Sequence, residues 1–149
     1  MTEVLFYHLE RQPLEAVLPG LLQRSLERGW RAVVTVGSPE RLAALNTHLW
    51  TYDDASFLPH GAAGEGSPEA QPVWLTNGDD NPAGANVRFL VDGADTADFT
   101  GYDRIVFLFD ADDAEAVQRA RTAWKAAQAG GHDATYWRQD DSGRWAKPG

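Results

Sequence analysis

Apolar positions in this chain come in two patterns. Short continuous runs stop at acid, glycine or proline. Between them lie stretches where apolar residues recur every three or four positions. The densest run, Ile105 to Phe109, is too short for a core helix, is rich in β-formers and ends at Asp110. It predicts a strand buried on both faces, as in the middle of a parallel sheet. Further strands are predicted over 4–9, 31–36, 73–76, 87–92 and 134–137. Leu14, Val17, Leu18, Leu21, Leu22 and Leu26 have helical spacing, with Pro13 suited to a first turn and Pro19 predicting a kink or a late start. Ser38 and Pro39 open a second helix running to about 50. Asp112, Asp113 and Glu115, at the positive end of a helix dipole, open a third that Gly130 and Gly131 stop.

Strand and helix alternate, which predicts an α/β domain with a mostly parallel sheet and helices on both faces. The length of 149 residues suits one domain. Periodicity fails over 51–72, predicting a long irregular loop, and the polar stretch 139–149 predicts a frayed tail that Trp145 could pin.

Composition narrows the chemistry. With no cysteine there is neither a disulfide framework nor a sulfur zinc site. The start lacks a basic, long-apolar leader and no run is long enough to span a bilayer, so the expectation is a cytoplasmic protein with no membrane contact. A formal charge of −9 argues against direct nucleic-acid binding. The charge is uneven: from Ala111 to Gly149 six bases balance six acids, so the first 110 residues carry the deficit. A basic island on an acidic protein suits a small acidic partner such as a peptide.

Asp92, Asp110, Asp112 and Asp113 follow strands, where a metal-dependent phosphohydrolase would place its acids. Capping of helices and turns accounts for them more simply. The segment Gly61 to Gly66 superficially resembles a phosphate loop, but it lacks a preceding strand, a closing Lys-Ser or Lys-Thr and a following helix. The four histidines have no metal-ligand spacing, no metal or cofactor is expected, and only His60 is retained as a possible orienting group. Six tryptophans are many for this length; Trp30 and Trp74 suit the core. Trp50 and Phe57 fit either an interface anchor or a loop folded onto its own aromatics. Arg121 and Lys125 share one helical stripe with Trp124 beside it, for which composition alone favours a solvated face.

The segments Phe6 to Leu9, Ala44 to Trp50, Ser56-Phe57-Leu58-Pro59-His60-Gly61, Gly64-Glu65-Gly66 and Ala120 to Lys125 together resemble the chi subunit of bacterial DNA polymerase III, the HolC family. The likeness runs from about 4 to 138, and its most specific part is Leu49 and Trp50 with the block 56–60. The resemblance implies a Rossmann-like fold and a clamp-loader accessory subunit with no intrinsic catalytic activity. Two sites follow from it. Arg121, with Trp124 and Lys125, would hold the acidic C-terminal tail of single-stranded DNA-binding protein. Trp50 and Phe57 would hold the psi subunit or, in some bacteria, an XPD-type helicase. Val117 departs from members that carry another base one turn before Arg121, which implies weaker steering of the tail.

Overall fold

The computed structural model describes residues 2–9, 14–51, 61–62, 72–78, 84–91, 94, 102–139 and 145–146. Its elements are β1 (Glu3–Leu9), α1 (Leu14–Glu27), β2 (Ala32–Val36), α2 (Pro39–Thr51), β3 (Gly61–Ala62), β4 (Val73–Thr76), β5 (Val87–Val91), β6 (Arg104–Asp110), α3 (Ala114–Ala129), β7 (Asp133–Gln139) and β8 (Trp145–Ala146). They form one sheet in the order β3-β4-β2-β5-β6-β1-β7-β8. Every pairing is parallel except that of β7 with β8.

The strand runs are apolar because both sheet faces are covered. Successive strand residues point to opposite sides. Leu5 and Leu9 of β1, with Val106 and Leu108 of β6, pack with Leu18 and Leu22 of α1 and with Leu45 and Leu49 of α2. The alternate residues Val4, Phe6, Ile105, Phe107 and Phe109 pack on the other side with Ala116, Ala120, Ala123 and Ala127 of α3. Helices therefore lie on both faces, as the alternation of strand and helix predicts. Ile105 to Phe109 is buried throughout. Trp74 is core, whereas Trp30 is only half-buried against it.

α1 begins at Leu14 and runs through Pro19, so of the kink and the late start expected at the proline, the late start is absent. Two boundaries differ from the expectation. Gly61 and Ala62 pair with Trp74 and Leu75 inside the segment expected to be irregular. Trp145 and Ala146 return antiparallel to Gln139 and Arg138, where fraying was expected. Both additions are two-residue edge strands, held by a neighbour's backbone groups rather than by any apolar period of their own. The rest of 52–60, 63–71 and 140–144, with Phe57 and His60, lies outside the described residues. Among the described residues no helix is long and apolar enough to cross a membrane.

Candidate functional site

α3 is a helix with a short inner face. Asp113 caps it, its Oδ1 accepting the backbone N–H groups of Glu115 at 3.1 Å and Ala116 at 3.2 Å. At the other end Gly130 caps the last turn and Gly131 adopts φ 77°, a conformation that favours glycine. The inner face is alanine at 116, 120, 123 and 127. Alanine fills little volume, so the sheet's aromatic side chains can extend beneath the helix instead of being packed off by leucines.

Beside that face lies a cleft of about 540 Å³, lined by His8 of β1, Phe109 of β6, Tyr136 and Arg138 of β7, and Val117, Gln118, Ala120, Arg121, Thr122, Trp124 and Lys125 of α3. Its inner wall is a ring cluster. Trp124 meets Phe6 edge-on at 5.4 Å and Tyr136 at 6.3 Å between centroids, and His8 stacks on Phe109 at 5.0 Å. The Tyr136 hydroxyl and His8 Nδ1 are hydrogen-bonded, which fixes both rings. Arg121, Lys125 and Arg138 are exposed at the rim, and among the described residues no Asp or Glu lines the cleft. Arg119 on the same helix is engaged with Glu115 at 3.4 Å. Within the described residues the Arg121 and Lys125 side chains make no hydrogen bond or ion pair. The result is a half-apolar, half-cationic concavity on a chain of net charge −9.

The structure thus brings Arg121, Trp124 and Lys125 together on one cleft, with Val117 as an apolar part of its wall. Trp50 belongs to the last turn of α2, on the other face of the sheet; its side chain and Phe57 lie outside the described residues. Sequence reasoning missed His8, Phe109, Tyr136 and Arg138. The two-residue strand period places His8 and Phe109 on the α3 side, but it does not reveal that β1, β6 and β7 lie side by side under one helix.

The acids after the strands have structural work. Asp110 Oδ1 accepts the backbone N–H of Asp112 at 2.9 Å, and Asp113 caps α3. Among the described residues no group of His, Asp and Glu side chains could hold a metal ion. Asp92 lies outside them.

Fold and cleft together define a doubly wound parallel α/β domain with a cationic rim over an aromatic floor. The chain belongs to the DNA polymerase III chi subunit family, HolC, whose sequence model matches residues 1–135. That family is a non-catalytic accessory subunit of the replicative polymerase. A probable DNA polymerase III subunit chi from Rickettsia prowazekii is 26% identical over 97 residues. The match covers 65% of this chain and 59% of that relative, so the chain spans under two thirds of the relative's length.

Proposed function

We propose that this protein is a non-catalytic adaptor of the DNA polymerase III clamp-loader assembly, whose α3 cleft holds the acidic C-terminal tail of single-stranded DNA-binding protein. The observation that carries the reading is the cleft itself, with three bases at the rim, no acid among its described lining residues and rings beneath. A guanidinium can hold a terminal carboxylate with two parallel hydrogen bonds, and an adjacent apolar hollow can take the last side chain. Further acidic residues of the tail would meet Lys125 and Arg138. The apolar Val117 leaves those three bases to supply the attraction. A cleft of about 540 Å³ suits a few residues, for which micromolar affinity, about −8 kcal/mol, is the natural scale.

Calorimetric titration tests this with the tail peptide in two forms, one with a free C-terminal carboxylate and one amidated. The free acid is expected to bind at micromolar strength and the amide at least tenfold more weakly. Equal affinity for both forms would remove the carboxylate from the interaction and overturn the reading.

The second partner, the psi subunit or an XPD-type helicase, is assigned to Trp50 and Phe57. α2 carries Trp50 on the face opposite α3, an arrangement that supports simultaneous binding of both partners. Trp50→Ala or Phe57→Ala is expected to weaken that partner's binding by about 2 kcal/mol or more and to leave tail affinity unchanged. Loss of both activities with a lowered melting temperature would instead make the pair part of the core.

A further inference from the structure

A second cleft, of about 200 Å³, lies on the opposite side of the sheet from the α3 groove. The last turns of α1 supply Leu21, Arg24 and Ser25, and the turn after it Arg28; β1, β5 and β6 supply Leu5, Tyr7, Phe89, Arg104 and Val106. It sits where the strands begin, because α1 runs back along the sheet and its end meets the start of β6. Three guanidiniums in one small cleft repel one another unless an anion lies among them, and low-dielectric walls strengthen that field.

Their surroundings hold them in place and, among the described residues, neutralise only one of them. The half-buried ring of Trp30 carries the Arg28 guanidinium at 5.0 Å and the Arg104 guanidinium at 5.1 Å from its centroid. Arg104 Nε donates to Glu3 Oε1 at 2.6 Å, and among the described residues its two terminal nitrogens have no acceptor. Neither Arg24 nor Arg28 pairs with a carboxylate among the described residues, and Glu27 on the same helix bonds to neither. Two of the three positive charges therefore have no counter-charge there. Ser25 is committed to its own helix, its hydroxyl donating to the Leu21 carbonyl at 3.1 Å. Burial raises the Tyr7 phenol above its ordinary pKa, and the Glu3 carboxylate adds to that, while Arg104, Arg24 and Arg28 pull it down, so the fields of all three guanidiniums reach one hydroxyl.

We infer that this cleft binds the phosphoryl group of a small phosphate monoester between Arg24, Arg28 and Arg104. Three separate guanidiniums match a group with three terminal oxygens; a carboxylate offers two, and a phosphodiester has two unesterified ones. The inference rests on neither the α3 cleft nor its ligand.

Phenyl phosphate, dimethyl phosphate and acetate are to be titrated against isotope-labelled protein at constant ionic strength, following the arginine Nε–Hε signals by NMR. Phenyl phosphate is expected to shift the Arg24, Arg28 and Arg104 signals saturably in the millimolar range, with the other two at least fivefold weaker. Arg24→Gln with Arg28→Gln should weaken phenyl phosphate binding at least tenfold, and Arg24→Gln alone at least threefold. Both side chains are exposed, so the melting temperature should hold. Arg121→Gln, in the α3 cleft, should change it less than twofold. The inference is overturned if wild type shows no saturable shift, if the three anions act alike, or if the double variant binds within twofold of wild type.

Discussion

Arg121→Ala is expected to abolish most binding of the single-stranded DNA-binding protein tail while leaving the fold intact. Truncating one partner of a hydrogen-bonded charge pair costs on the order of 2–5 kcal/mol. Taken from a complex worth about −8 kcal/mol, that loss carries the affinity beyond easy detection. The fold should not respond, because the Arg121 side chain is exposed on α3 and has no hydrogen bond or ion pair within the described residues. Arg121→Lys should recover part of the loss, since it keeps the charge and loses the two-pronged geometry. Affinity should also fall as ionic strength rises, because the rim charges are at the surface. Calorimetry on wild type and both variants at two salt concentrations decides the matter. An Arg121→Ala protein that binds within twofold of wild type would place the peptide elsewhere.

Arg88→Ala is expected to destabilise the domain by about 2–5 kcal/mol, the range for truncating a long, fully buried side chain. Arg88 lies in β5, between β2 and β6 near the middle of the sheet, and is 1% exposed. Its Nε donates to the Tyr102 hydroxyl at 2.9 Å, and its Nη1 donates to the Gly78 carbonyl at 3.2 Å and to the Thr35 hydroxyl. Thr35 is itself buried. Alanine would take the guanidinium donor from the Tyr102 and Thr35 hydroxyls, leave the Gly78 carbonyl only the Thr35 hydroxyl at 3.2 Å, and open a cavity the length of the side chain; both effects oppose folding. Arg88→Met should cost less, because it refills the stem's volume and removes the cost of burying the charge. Urea denaturation of the three proteins gives the comparison. A loss below about 1 kcal/mol for alanine would mean that solvent or a rearranged neighbour replaces the guanidinium at little cost.

Arg88 also marks where sequence patterning stops. Its strand was legible from Val87, Phe89, Leu90 and Val91, and a lone base in an apolar run would ordinarily be taken for an edge position. It is buried because Thr35 and Tyr102, 53 and 14 residues away, meet its guanidinium across the sheet. The same holds for the α3 cleft. The helix, its acidic cap and the Arg121, Trp124, Lys125 stripe are local features, written in spacing and dipole chemistry. His8 and Tyr136 are 128 residues apart, and a parallel register alone sets them together.

By itself the sequence determined the alternation of buried strands and helices, the coverage of both sheet faces and the family to which the chain belongs. Each depends on periodicity or on blocks of adjacent residues, and both survive in one dimension. The tertiary structure decided which strands adjoin, and so which rings floor the cleft, why Arg88 is buried, and that Arg24, Arg28 and Arg104 surround one hollow. Parallel strands are joined by crossovers, so neighbours in the sheet are distant along the chain. A site assembled from several strands and a helix has no contiguous signature, and its chemistry appears only when the sheet order is set.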